Sequence, residues 1–190
     1  MQRQQFIYLL DQYTPVDPDE ILYKKKMLSF VKNNPDCFER TLEIGHITAS
    51  SWLLDDTKEK ALLLHHAKLD IWCQPGGHCD GNSDVLFTAI KEAQEESGIE
   101  EIIPLKTTIF DIDIHLIPSK GNTPSHFHYD VRFLLQISNQ KSPSLNQESK
   151  GFLWVDKNKT SLPTKERSIV RMWEKWGKLK QIRETYHDHK

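Results

Sequence analysis

Glu92, Glu95 and Glu96 stand at i, i+3 and i+4, so a helix through them carries all three carboxylates on one side. Like charges at that spacing cost about 0.2–0.5 kcal/mol per pair on an exposed helix. A divalent cation held among them removes the cost, and an all-oxygen donor set favours Mg2+ or Mn2+ over zinc. A solvated acidic face would carry the same residues, so this spacing alone leaves both readings open.

A second group sits in His126-Phe127-His128-Tyr129-Asp130-Val131-Arg132-Phe133. Alternation along a strand places His126, His128 and Asp130 on one face and Phe127, Tyr129 and Val131 on the other. Arg132 is assigned to the second face, which makes it the weaker candidate for a phosphate clamp. Joined by His78, the histidine face would contact substrate phosphate or orient water; the alternative is an edge strand with solvated rings. A zinc site drawn from His78, Cys79, His126 and His128 matches no standard ligand spacing. Cys37, Cys73 and Cys79 lack a CxxC pair and read as free buried thiols.

The elements that must position these residues follow from pattern and punctuation. Residues 2–13 and 18–33 read as helices broken at Thr14-Pro15, with Pro18 suited to a first helical turn. Residues 47–54 and 61–64 read as a hairpin around Asp55-Asp56. The turn-rich stretch 74–82 leads to Ser83-Asp84 as a helix start, Val85, Leu86, Ala89, Ile90 and Ala93 supply an apolar arc, and Gly98 stops the helix. Residues 107–116, 128–137 and 152–155 read as strands. Residues 164–183 read as an amphipathic helix with Trp173 and Trp176 as core anchors.

In that frame, residues 77–99 resemble the Nudix box, G-x5-E-x7-R-E-U-x-E-E-x-G-U, where U is aliphatic. Gly77 opens it, Lys91 stands in the Arg place, Glu92, Ala93, Glu95 and Glu96 follow, and Gly98-Ile99 closes it. Ser83 replaces the first Glu. Lys91 keeps the charge of Arg without its planar two-pronged geometry. The flanking segments, among them Trp72-Cys73-Gln74-Pro75-Gly76-Gly77-His78, are similar to a bacterial Nudix subgroup with a Gly-Gly-His-x-Asp-Gly loop.

The resemblance implies an α/β fold, a Nudix-type α/β/α sandwich with a mixed sheet, spanning residues 45–190 behind a helical N-terminal extension over residues 1–44. It implies a metal-dependent pyrophosphohydrolase in which water attacks phosphorus of a nucleoside diphosphate derivative. Glu92, Glu95 and Glu96 would hold Mg2+ or Mn2+ and, with Lys91, form the catalytic set. Gly76, Gly77, His78, His126 and His128 would meet the substrate, and Glu148 resembles the later acidic residue that serves some members as base. The rivals are a non-catalytic nucleotide-binding or sensing module, to which Ser83 and Lys91 lend weight, and an isomerase on the same fold using Cys79.

Twenty-five Lys and Arg against 27 Asp and Glu give a net charge of -2 over 190 residues, which argues against a nucleic-acid polymer as partner. The mean hydropathy of -0.59 and the lack of a long apolar run argue against membrane spanning. With no secretory start, a cytoplasmic protein is expected. The extension is expected to cover the sheet, contribute to a homodimer or close over the active site, and the sequence does not choose among these.

Overall fold

The computed structural model describes residues 3–139, 141–144, 146–147, 149–158 and 162–179. Among the described residues four helices, α1 (Arg3–Gln12), α2 (Pro18–Asn33), α3 (Val85–Ser97) and α4 (Arg167–Lys178), pack around eight strands. The strands are β1 (Gly45–Leu54), β2 (Lys60–His66), β3 (Trp72–Cys73), β4 (Gly76–His78), β5 (Ile102–Pro104), β6 (Asp111–Ile117), β7 (His126–Ile137) and β8 (Ser149–Asp156).

The sheet is mixed. β1 and β7 run parallel at its centre, in register from Gly45 opposite Phe127 to Leu54 opposite Gln136. Every other strand pairing among the described residues is antiparallel, and the sheet forks on both sides of this pair. One edge of β1 meets β4 at Ser50 to Thr48 and β2 at Leu54. The free edge of β7 meets β6 along residues 126–132 and β5 along 135–137.

Alternation along the central strands separates two cores. Ile47, Ala49 and Leu53 of β1 and Val131, Phe133 and Leu135 of β7 pack with Val85, Ala89 and Ala93 of α3. Phe6 and Leu10 of α1 and Met27 and Phe30 of α2 join that same core, and Phe30 stacks on Tyr129 at 3.9 Å between ring centres. The opposite face carries Trp52, Leu54, Leu63 and Val155 under Ile169, Met172 and Trp176 of α4. The N-terminal helices therefore cover the sheet and share its core. Trp176 is a core anchor, edge-on to Trp52 at 6.0 Å.

Helix limits follow local chemistry. Asp17 caps α2, its carboxylate accepting from Asp19 N at 3.0 Å, and Pro18 occupies the first turn, where its missing N–H costs nothing. Asp84 caps α3 by accepting from Phe87 N at 3.2 Å, and Gly98 ends it in the left-handed conformation at φ 67°. The strand expected from residue 107 begins at Asp111, and the helix expected from 164 begins at Arg167.

Between α4 and the β6–β7 pair lies a buried ion network. Asp111 accepts from Arg132 at 3.1 Å, from Arg171 at 2.9 Å and from Lys175 at 3.2 Å. Arg132 also bonds Asp130 at 2.7 Å, and Arg171 bonds Asp113 at 3.2 Å. Glu20 of α2 pairs with Lys175 and accepts from the Tyr13 hydroxyl, which fastens the N-terminal helices to the last one. Burial works to raise the Asp111 carboxyl, but the Arg171 bond and the charges of Arg132 and Lys175 outweigh it and hold the group below its ordinary value. The same balance depresses Asp113.

Candidate active site

The carboxylates of α3 close on the β4 backbone. Glu96 accepts from Gly76 N at 2.9 Å. Glu92 lies so close to Gly77 that a Cβ there would stand 2.3 Å from its Oε2, so glycine is the residue that lets this carboxylate reach the strand. Lys91 joins Glu92 at 3.1 Å and Glu95 at 3.2 Å. Burial raises the Glu92 carboxyl, with Lys91 opposing that effect. The three expected acidic residues thus share one flank of α3 beside Gly76 and Gly77. Their donor set, all oxygen and next to backbone kept bare by glycine, fits Mg2+ or Mn2+. Glu148 lies outside the described residues.

Lys91 holds two carboxylates from a side chain that is 47% exposed, so its share of stability is below about 1 kcal/mol. Its expected value lies in alignment. In Lys91→Ala, metal titration of activity should move to higher concentration with little change in melting, and Lys91→Arg should keep the wild-type midpoint. An alanine variant indistinguishable in metal titration would make Lys91 a surface residue only.

The histidines gather elsewhere. His46 pairs across the sheet with His128, and Thr48 with both Asp130 and His78. His46, His78, His126 and His128 therefore crowd onto the polar face of the sheet, whereas α3 packs on the face of Ile47 and Ala49. Gly77 faces Glu92, and His78, one residue on, turns away from α3. His46, buried to 2% exposure, was not singled out by the sequence. Burial and the neighbouring His78 and His126 lower it to about 4. Burial, with His115 and His78, lowers His128 further.

Arg132 corrects one expectation. Two residues beyond Asp130, it shares the histidine face, and its guanidinium is fully enclosed by Asp111, Asp113 and Asp130. Its present partners make it a structural cation at the floor of a cleft. That cleft, of about 360 Å³, is lined by Tyr23 of α2, Trp72, Gln74, His115, Arg132 and Arg167 among others. Trp72 is stacked on His65 at 4.8 Å, and Gln74 bonds Asp130 at 3.3 Å and Ser50 at 3.2 Å.

None of the three thiols is set up as a nucleophile. Burial pushes Cys37 up to about 11 and Cys73 to about 12, and raises Cys79 still further. The isomerase reading, which needs a reactive Cys79, loses its chemical basis.

A helix-borne carboxylate cluster clamped on a glycine pair, beside a forked mixed sheet with helices on both faces, defines the class. A sequence model of the NUDIX domain matches residues 45–184, and the chain belongs to that family. A 73-residue stretch is 38% identical to the putative hydrolase 080R of Invertebrate iridescent virus 3, covering 34% of this chain and only 28% of that relative's length. The Ap4A hydrolase of C. elegans, in a binary complex, superposes with a TM-score of 0.53 at 20% identity over 68% of this chain and 93% of its own. A NUDIX family hydrolase from Clostridium perfringens gives 0.53 at 23% identity over 69% and 95%. The MutT protein of Methanosarcina mazei Go1 gives 0.52 at 16% over 71% and 94%. These likenesses are likenesses of fold. Among the described residues, no helix is long and apolar enough to cross a membrane.

Proposed function

We propose that the chain hydrolyses a diphosphate linkage in a small nucleoside diphosphate derivative, with Mg2+ or Mn2+, by attack of water at phosphorus. The observation that carries this reading is one short segment. Residues 72–74 line the cleft, and two residues later Gly76 and Gly77 meet Glu96 and Glu92. A molecule bound by its nucleoside part in the cleft would lay its phosphates along this segment toward the carboxylates.

Trp72 and Tyr23 offer flat apolar surface for a base, and Arg167, half exposed at the rim, offers charge for a phosphate. Glu92, Glu95 and Glu96 are the residues that would hold the cation, which when bound neutralises phosphate charge and acidifies water. Lys91 keeps Glu92 and Glu95 in place. A carboxylate of this group, or Glu148, takes the proton from the attacking water. Such an enzyme would act in the cytoplasm, and the exposed Tyr8, Ile21 and Leu22 on α1 and α2 are where a homodimer would form.

The test is a panel of nucleoside diphosphates linked to a sugar, to a second nucleoside or to further phosphate, assayed with Mg2+ and with Mn2+. Turnover of at least one member is expected. Binding without turnover would instead favour a sensing module, the reading to which Ser83 and Lys91 lend weight.

A further inference from the structure

Five of the nine histidines meet on the polar face of the sheet. The rings of His46, His78 and His128, on β1 and its two neighbours β4 and β7, form a nearly equilateral triangle with centroid separations of 5.0, 4.8 and 5.0 Å. One ring nitrogen from each lies within 4.8 Å of the other two. His126 stands 5.1 Å from His46 and 5.2 Å from His128 at the exposed side of the group.

From this geometry we infer that His46, His78 and His128 form a second cation site, one for a divalent transition metal of the zinc class and separate from the carboxylates of α3. The first support is unsatisfied nitrogen on two of the three rings. His46 is 2% exposed, yet among the described residues neither of its ring nitrogens makes a well-formed hydrogen bond, with the Leu42 backbone as a polar influence on it, and His128 Nε2 is likewise buried without one. A buried polar atom left without a partner is destabilising, and coordination supplies the missing partner. The second is chemistry. An imidazole offers a ring-nitrogen lone pair to a cation, and three of them converge here.

Three imidazoles suit Zn2+, Co2+, Ni2+ or Cu2+ and are poor ligands for Mg2+. Zinc–nitrogen bonds of about 2.0–2.1 Å ask the three rings, whose ligand atoms lie within 4.8 Å of one another, to close inward. Nδ1 of His126 lies 2.9 Å from the Pro124 carbonyl, which leaves its other nitrogen as a candidate fourth ligand. Cys79, weighed as a ligand from spacing, is excluded: it is buried against Thr88 of α3, on the other side of β4.

The test uses the full chain with His187 and His189 replaced by alanine, so that the terminal histidines cannot contribute, after stripping with a chelator. Zn2+ is titrated calorimetrically with Mg2+ in excess, and Co2+ is followed by its visible absorption. One Zn2+ per chain is expected, with affinity falling by about 100-fold or more in His46→Ala and in His78→Gln, and unchanged in Glu95→Gln. The Co2+ absorption should vanish in His78→Gln. Should His46→Ala fail to fold, His78→Gln, whose ring is partly exposed, decides alone. Absence of Zn2+ binding, binding that survives His78→Gln, or binding lost in Glu95→Gln would overturn the proposal, and each outcome is independent of whether the chain hydrolyses diphosphates.

Discussion

Glu95→Gln and Glu96→Gln are each expected to lower turnover at least ~100-fold while leaving the fold intact, the scale expected when a carboxylate serves a metal or acts as a base. The isosteric change keeps an oxygen that can still accept from Gly76 N, the bond that now ties Glu96 to β4. It removes the negative charge that a divalent cation needs. The Glu95 side chain is exposed and bonded only through Lys91 among the described side-chain contacts, so its loss should leave melting unchanged. Steady-state rates at limiting and at saturating metal, with thermal melting alongside, check both. Near wild-type turnover of either variant at limiting metal would show that the carboxylates of α3 are not the reactive centre.

Arg171→Met is expected to cost about 3–5 kcal/mol of folding stability, because it removes one of the cations that hold the buried carboxylates and leaves Arg132 and Lys175 to balance them alone. Arg171 holds Asp111 through two bonds of 2.9 Å, the Ile112 carbonyl at 2.8 Å and Asp113 at 3.2 Å. The effect carries a pH signature. Asp111 and Asp113 are depressed in the folded protein, so their contribution is fully present above the unfolded carboxylate value of about 3.9. It is lost as pH falls from there through the folded values. The gap between wild type and variant should therefore be wide at pH 7 and shrink on acidification below about pH 4. Urea unfolding at several pH values measures it. A gap under about 1 kcal/mol at neutral pH would show the network to be dispensable.

What could be read from the sequence was local. Helix α2 spans its expected residues because Pro18 and Asp17 mark its start within two positions, and α3 because Asp84 and Gly98 mark both ends. The carboxylates of α3 were legible for the same reason, lying four residues apart on one helix. Long-range assemblies left no such mark. The ion network joins Glu20, Asp111, Arg132 and Arg171 across 151 positions, and His46 meets partners 32 and 82 positions away. Neither set has a period to detect.

Short elements were hidden as well. Strand β4 is three residues of a glycine-rich turn, and it becomes a strand only because β1 offers it an edge. The side of Arg132, by contrast, was available from counting alone, since an even step along β7 returns it to the face of Asp130. Its burial was not, because the aspartates that enclose it come mostly from β6.

The most direct measurement is hydrolysis in water enriched in oxygen-18, with chelator-stripped protein to which Mg2+ or Mn2+ is restored, using the best substrate of the nucleotide panel. Attack of metal-activated water at phosphorus predicts no turnover before metal is restored. Afterwards a single heavy oxygen should appear in one phosphate-bearing product, at a rate that Glu96→Gln lowers at least ~100-fold. Heavy oxygen in a non-phosphate product, or label incorporated equally fast by Glu96→Gln, would contradict it.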